Sequence, residues 1–289
     1  MGEKYRVKLR WNEIFKEANL TRKRYRILMG SAGSGKSVNV AQDFIKKLSD
    51  KRFIGANLLV IRKAEESNRN STFCELQSAV YRMFGEHWDK VWKVYQNPMY
   101  MQNLVTGCGI AFRGVNDASQ REKIKSITFK RGKLTWIWIE EATELTAADV
   151  DILDDRLRGK LHNPNLYYQI TMTFNPVSAS HFIKARYFDN PSDDVFTHHS
   201  TYFDNRFIDA DYLKRMERRK IEDPEGYRVY GLGEWGETEG LILKNYVIHE
   251  FDISKESFDD MAMGQDFGFN HANAILLLGY KDGEVYICK

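Results

Sequence analysis

Along the chain, short apolar runs alternate with stretches in which apolar residues recur every three or four positions. The short runs, at residues 24–29, 58–62, 110–113, 134–139, 167–173 and 195–201, predict strands. Between them, residues 38–48, 72–84, 148–157 and 179–188 carry helical spacing. Strands alternating with helices predict an α/β fold, a doubly wound and mostly parallel sheet. A further, strongly charged helix is expected over 209–222, ended by Asp223-Pro-Glu-Gly226. From Gly231 to Gly240 the sequence is glycine-rich and acidic, and periodicity stops, which reads as a linker. The pattern then restarts: 261–265 and 274–280 read as strands, and Lys281-Asp-Gly-Glu284 as a hairpin turn into 285–289.

One loop in this pattern carries specific chemistry. Gly30-Ser-Ala-Gly-Ser-Gly-Lys36-Ser37 follows the first strand and opens the first long helix, the context that a G-x-x-x-x-G-K-[ST] phosphate loop requires. Gly30, Gly33 and Gly35 let the backbone turn and bring its N–H groups, with those of Ser31 and Ser34, against phosphate oxygens. The new helix adds its positive N-terminal end. Lys36 is expected to reach the β- and γ-phosphates, and the Ser37 hydroxyl to ligate Mg²⁺. A nucleoside triphosphate is the expected ligand. In open α/β sheets such ligands sit at the carboxyl ends of strands, where this loop falls.

Two later strand ends join the loop. Trp136-Ile-Trp-Ile139 is an apolar strand that ends in Glu140 and Glu141. Adjacent strand residues point to opposite sides, so the two acids are expected to serve different tasks. Glu140 is expected beside the Mg²⁺ held by Ser37. Glu141 is expected to face the γ-phosphate as general base. The next strand ends in Thr173-Phe-Asn175-Pro176, a hydroxyl and an amide suited to report nucleotide state.

Composition narrows the class without deciding it. The 289 residues are 43% hydrophobic and 29% charged, with a net charge of +3, an ordinary globular balance. No apolar run approaches the roughly 20 residues of a membrane span, and the first residues lack the apolar core of a signal peptide. Three cysteines form no C-x-x-C pair, so neither a zinc site nor a disulfide framework is expected. Basic clusters at 4–10, 22–26, 121–133 and 214–220 are compatible with nucleic-acid contact, although solvated helix faces explain most such runs.

Taken in order, Gly30–Ser37, Trp136–Glu144 and Thr173–Pro176 resemble the large subunit of tailed-phage terminases, as do Val60-Ile-Arg-Lys63 and Tyr230-Gly-Leu-Gly-Glu-Trp235. The likeness is greatest to the branch found in prophages of Gram-positive bacteria. It implies a RecA-like, additional-strand ATPase domain over 1–230, a linker over 231–255, and the beginning of an RNase H-like nuclease domain over 256–289. By the resemblance, Lys36 and Ser37 are the Walker A pair, Glu140 stands where the family usually has Asp, and Glu141 is the catalytic glutamate. Thr173 and Asn175 match the coupling motif, and Asp266 the first metal-binding aspartate of the nuclease. The implied function is an ATPase motor that drives double-stranded DNA into a procapsid with ATP and Mg²⁺. The implied partners are the portal protein, the small subunit and further copies in a ring, in the host cytoplasm at the portal vertex.

Two departures from the family pattern matter. Many members have arginine in the loop at the position of Ala32, acting as an arginine finger in cis; here the finger must come from elsewhere, and Arg113, Arg121, Arg156 and Arg158 are the candidates. Two-metal cleavage needs several converging carboxylates, so Asp266 alone is not expected to support nuclease activity in these residues. Other classes fit less well. A P-loop GTPase predicts an Asn-Lys-x-Asp tetrapeptide, which the sequence lacks, and a helicase predicts a second RecA-like domain. Trp88, Trp92, Tyr95 and Tyr100 are expected to pack in a core or hairpin rather than stack on bases. His198-His199 has no acidic or cysteine partner at ligand spacing and is expected to be structural.

Overall fold

A computed structural model describes residue 9 and residues 11–236, 257–266 and 274–288. The chain divides into two compact units, Met1–Gly240 and Leu241–Lys289.

In the first unit, α1 (Lys16–Leu20) leads to β1 (Tyr25–Gly30), the glycine-rich loop and α2 (Lys36–Ser49). β2 (Ala56–Arg62) is followed by α3 (Cys74–Phe84), the one-turn α4 (Trp88–Val91) and a hairpin of β3 (Trp92–Gln96) and β4 (Met99–Asn103). The chain continues through β5 (Gly109–Gly114), α5 (Ala118–Lys125), β6 (Lys133–Glu140), α6 (Ala147–Asp154), β7 (Gln169–Phe174) and β8 (Val195–Ser200). α7 (Ala210–Glu222) and α8 (Pro224–Tyr227) follow.

The strands form one sheet in the order β3-β4-β5-β2-β6-β7-β1-β8. From β5 to β8 every pairing is parallel; only the pairings that involve β3 and β4 are antiparallel. β7 is inserted between β1, which carries the loop, and β6, which carries the paired glutamates. Register aligns their ends: Thr173 lies opposite both Leu28 and Glu140. This is the additional-strand, RecA-like arrangement, and it brings three sequence-distant segments to one edge.

The apolar runs reflect burial on both faces of the sheet, as parallel strands covered by helices require. Along β6 the alternation is visible residue by residue. Trp136 and Trp138 pack on one face with Val40, Phe44 and Leu76 from α2 and α3. Ile137 and Ile139 pack on the other with Val150 and Leu153 from α6. A buried ion group ties β1 to α2: Arg26 Nη1 and Lys47 Nζ reach Asp43 Oδ2 at 2.6 and 2.8 Å. Burial opposes ionisation of Asp43, but Lys47 and Arg26 outweigh it and hold the carboxyl below its ordinary range.

Several expectations change in detail. The helix expected over 148–157 ends at Asp154, and the one expected over 179–188 is reduced to a wide π-type turn, Lys184–Asp189. The β3–β4 hairpin uses the aromatics: Tyr95 faces Tyr100 across the strands, Trp92 is fully buried, and Trp88 packs edge-on against Tyr81. The stretch from Gly231, expected as linker, begins as packed structure. Trp235 lies against Phe174 and Phe188, with ring centroids 5.8 and 5.5 Å apart. Gly236 N–H donates to the Pro176 carbonyl at 2.8 Å. Residues 237–255 of the expected linker lie outside the described residues.

In the second unit, β9 (Asp260–Asp266), β10 (Ala274–Lys281) and β11 (Glu284–Cys288) form an antiparallel sheet in the order β11-β10-β9. Asp282 and Gly283, at φ 53° and 83°, make the two-residue turn with positive φ that suits the right-handed twist of a hairpin.

Candidate active site

The glycine-rich loop is shaped by three different constraints. A Cβ on Gly30 would lie 2.0 Å from the Ser200 carbonyl of β8, so close strand packing, rather than a turn, demands glycine there. Gly33 and Gly35 do have left-handed backbone, at φ 74° and 87°. Asn205 Nδ2 donates to the Gly33 carbonyl at 2.8 Å, and Asn12 Nδ2 donates to Asn205 Oδ1 at 3.0 Å. Ala32 N–H donates to the Tyr230 carbonyl at 3.0 Å, so the loop is also held by the segment after α8.

The loop, the end of β6 and the end of β7 enclose a cavity of about 380 Å³. Gly33 to Val38, Glu140, Glu141, Phe174, Asn175, Asn205, Ile208 and Tyr212 line it, together with Ser31 and Ala32. Lys36 Nζ donates toward the carbonyls of Gly30 and Ser31 at 2.9 and 2.7 Å, toward Ser34 Oγ at 3.3 Å and Asn175 Oδ1 at 3.2 Å. Asn175 is thus in direct contact with the loop lysine. Burial pushes the Lys36 ammonium down to about 8, while the charges of Glu140 and Glu141 pull it back up.

Glu140 is gripped by two hydroxyls. Ser37 Oγ donates to its Oε1, and Thr173 Oγ1 contacts its Oε2. Burial raises its pKa, against the lowering effect of Ser37, Thr173 and Lys36. Glu141 departs from the strand alternation expected of it. β6 ends at Glu140, and Glu141 takes a left-handed backbone (φ 53°, ψ 54°), so both carboxylates line the same cavity. Their surroundings differ instead. Charged groups rather than hydroxyls act on Glu141: burial raises its pKa, partly offset by Arg62 and Lys36. Arg62 is itself paired with Glu144 at 3.1 Å.

The family model described as phage terminase large subunit matches residues 22–234, a span that includes the loop and both strand ends. The chain belongs to the phage terminase large subunit family. It is 27% identical over 289 residues to the PBSX phage terminase large subunit of Bacillus subtilis (strain 168), covering 91% of this chain and 62% of that protein. It is 29% identical over 251 residues to the terminase large subunit of Bacillus phage SPP1, covering 84% of this chain and 57% of that protein. The chain therefore spans about six-tenths of the length of these relatives.

Among solved structures, the large terminase of a thermophilic bacteriophage superimposes with a TM-score of 0.64 at 17% identity, covering 96% of this chain and 67% of that one. The HK97 bacteriophage large terminase gives 0.57 at 11% identity, covering 97% and 63%. These likenesses establish the fold.

Within this terminase fold, the residues expected from sequence divide into two groups. Gly30 to Ser37, Glu140, Glu141, Thr173 and Asn175 converge at the edge where β1, β7 and β6 end. The four candidate arginines do not line the cavity. Arg113 Nη1 donates to the Phe112 carbonyl at 2.7 Å, Arg121 pairs with Asp149 at 2.8 Å, and Arg156 Nη2 donates to the Ile127 carbonyl at 3.1 Å. Arg158 is exposed. Asp266 ends β9 opposite Ala274, with its side chain outside the described residues, and residues 267–270 of that motif are outside them too. Among the described residues no group of three or more His, Cys, Asp or Glu side chains is gathered for a metal, and no helix is long and apolar enough to cross a membrane.

Asn205, Ile208 and Tyr212 join the cavity without any signal in the sequence. They arrive from the segment after β8 and from α7, where no motif marks them. The Tyr212 hydroxyl is buried over the loop without a hydrogen-bond partner, and a Cβ on Gly33 would lie 2.8 Å from it. His199 holds the segment after α8: its Nε2 lies 3.0 Å from the carbonyls of Leu232 and Gly233, which requires the proton on that nitrogen.

Proposed function

We propose that this chain is the ATP-hydrolysing motor of viral DNA packaging, acting on double-stranded DNA at the procapsid. The observation that carries the reading is the convergence of Lys36, Ser37, Glu140, Glu141 and Asn175 on one cavity beneath a glycine-rich loop. Two further structures of the thermophilic phage enzyme are described as complexes with ADP and with ATP-gamma-S, which supports a nucleotide in the same fold.

The donor set suits Mg²⁺. Ser37 Oγ and Glu140 Oε1 are two hard oxygens already in contact, and no thiolate or imidazole competes among the described cavity residues. These two residues would hold the ion, which supplies charge neutralisation at the phosphates when bound. Loop N–H groups and the start of α2 bind phosphate oxygens, and Lys36 exchanges its protein acceptors for the β- and γ-phosphates. Glu141 orients a water in line with the γ-phosphorus. As the P–O bond to ADP breaks and the new P–O bond forms, the Glu141 carboxylate takes the water proton, giving ADP and phosphate. Asn175, bonded to Lys36, and Thr173, bonded to Glu140, carry the state of the site into β7.

The remaining parts of the reading follow the family. An arginine supplied by a neighbouring copy completes the charge stabilisation, in a ring docked at the portal protein with the small subunit, in the host cytoplasm. Asp266 begins an RNase H-like nuclease centre as its first metal-binding aspartate.

The test is a pair of variants. Glu141→Gln should bind ATP normally and lose roughly 10²–10⁴-fold in turnover, the usual cost of removing a general base. Lys36→Ala should weaken binding itself. Undiminished turnover by purified Glu141→Gln would refute the assignment.

A further inference from the structure

Behind the metal-side carboxylate runs a chain of hydrogen bonds that starts in the core. Trp138, on β6 two residues before Glu140, is fully buried. Its indole Nε1–H donates to Thr173 Oγ1 on β7 at 2.8 Å. Thr173 Oγ1 contacts Glu140 Oε2 and lies 3.3 Å from the Ile139 carbonyl. Glu140 Oε1 accepts from Ser37.

With Glu140 ionised, as a cation ligand must be, the polarity of this chain is forced by chemistry. An indole N–H can only donate, and a threonine hydroxyl has one proton to give. With Trp138 filling a lone pair of Oγ1, that proton has two acceptors in reach, the Glu140 carboxylate and the Ile139 carbonyl. The charged acceptor makes the stronger bond. A donor into Oγ1 also polarises the hydroxyl and strengthens the bond it makes onward. The sequence of donation is therefore Trp138 to Thr173 to Glu140 Oε2, and it leaves Oε1 turned to Ser37.

A second tryptophan supplies the comparison. Trp136 lies on the same face of the same strand, is equally buried, and packs against the same Phe44. Its Nε1 is buried with no hydrogen-bond partner. Trp136 fills space; Trp138 fills space and aims its N–H.

We propose that Trp138 is a positioning residue for the divalent-cation site, its indole N–H fixing the Thr173 hydroxyl and thereby the Glu140 carboxylate that faces Ser37. The proposal rests on Ser37 and Glu140 as the cation's protein ligands. Groups that orient a ligating side chain are typically worth about 10–100-fold in metal affinity. Because the chain ends on a carboxylate oxygen and not on the nucleotide, its loss should act on the metal and spare phosphate binding.

The experiment is Mn²⁺ binding to the full chain in the presence of ADP, followed by the electron paramagnetic resonance of free Mn²⁺, alongside ADP binding in EDTA. Trp138→Phe should weaken Mn²⁺ binding by about 10–100-fold with metal-free ADP affinity unchanged, while Trp136→Phe should alter neither. Thr173→Val should reproduce the loss and Thr173→Ser recover it, a pair that decides the matter if Trp138→Phe does not fold by circular dichroism. Equal effects of the two tryptophan variants, an unaltered Mn²⁺ affinity in Trp138→Phe, or a Thr173→Ser as weak as Thr173→Val would overturn the proposal. Glu140→Gln separates the two ideas: if it too leaves Mn²⁺ affinity intact, the ligand assignment falls and the proposal with it. If it abolishes binding while Trp138→Phe does not, only the proposal falls.

Discussion

Glu140 and Glu141 share a strand end and a cavity, and their neighbours give them different surroundings. Two hydroxyls immobilise Glu140, which suits a metal ligand; Glu141, on a left-handed residue, is shielded by burial and answers to the charges of Arg62 and Lys36. Lys36 is equally defined by its surroundings. Burial holds its ammonium at about 8, well below an ordinary lysine, because loop carbonyls replace water incompletely. A bound polyphosphate favours the charged form and raises that value again. Through Lys36, binding should therefore take up more protons at alkaline pH than near neutrality. Nucleotide affinity is expected to be level up to about pH 8 and then to fall, by at most about tenfold per pH unit. Calorimetry in buffers of different ionisation enthalpy at pH 7 and pH 9 measures the proton count directly. Equal counts at both pH values would contradict the assignment.

At the level of elements, the loop is held between β8 on one side and the segment after α8 on the other. The Tyr230 carbonyl accepts from the Ala32 N–H, and His199 bonds the carbonyls of Leu232 and Gly233. Gly233 makes a close approach to the loop from the side of the segment after α8. It has φ 67°, and a Cβ there would lie 2.6 Å from Ser31 N and 2.7 Å from Gly30 C. Both obstacles are backbone and cannot swing aside. Gly233→Ala is therefore expected to cost at least about 1–2 kcal/mol for the left-handed backbone alone, and to weaken nucleotide binding by displacing the loop. Urea unfolding and an ADP titration measure the two effects. A variant with wild-type stability and affinity would mean that the segment after α8 does not brace the loop.

For the whole molecule, the question is where the transition-state arginine comes from. Ala32 leaves the loop without one, and among the described residues no arginine lines the cavity. In the proposed motor a second copy supplies it, and such a residue in trans is typically worth about 10³–10⁵ in rate. ATPase activity is expected to rise more steeply than linearly with protein concentration. Mixing Glu141→Gln chains with chains lacking the donor arginine should restore part of the lost activity. The candidates Arg113, Arg121, Arg156 and Arg158 can be tested in turn, Arg158 first because it is exposed. Brisk turnover strictly proportional to concentration in dilute monomer would argue against a shared site.

The sequence by itself determined what is local. A phosphate loop is eight consecutive residues between a strand and a helix, and its chemistry follows from spacing alone. The same holds for the apolar strands and for the Asp-Gly hairpin of the second unit. Other features depended on which segments meet. That Thr173 touches Glu140 and Asn175 touches Lys36 follows from the insertion of β7 between β6 and β1, a choice of sheet order that no short segment encodes. Alternation alone puts Glu140 and Glu141 on opposite sides; a left-handed residue at the strand end turns both into one cavity. Gly30 and Gly233 are glycines because other backbone passes within van der Waals distance of them, a fact absent from their own neighbourhoods. Asn205, Ile208 and Tyr212 carry no periodic or motif signal, and only the packing of α7 over the loop makes them part of the site. Trp136 and Trp138 are equivalent in the sequence, two apolar residues on one strand face, and tertiary structure distinguishes them because a hydroxyl on the neighbouring strand lies within reach of one indole N–H and not the other.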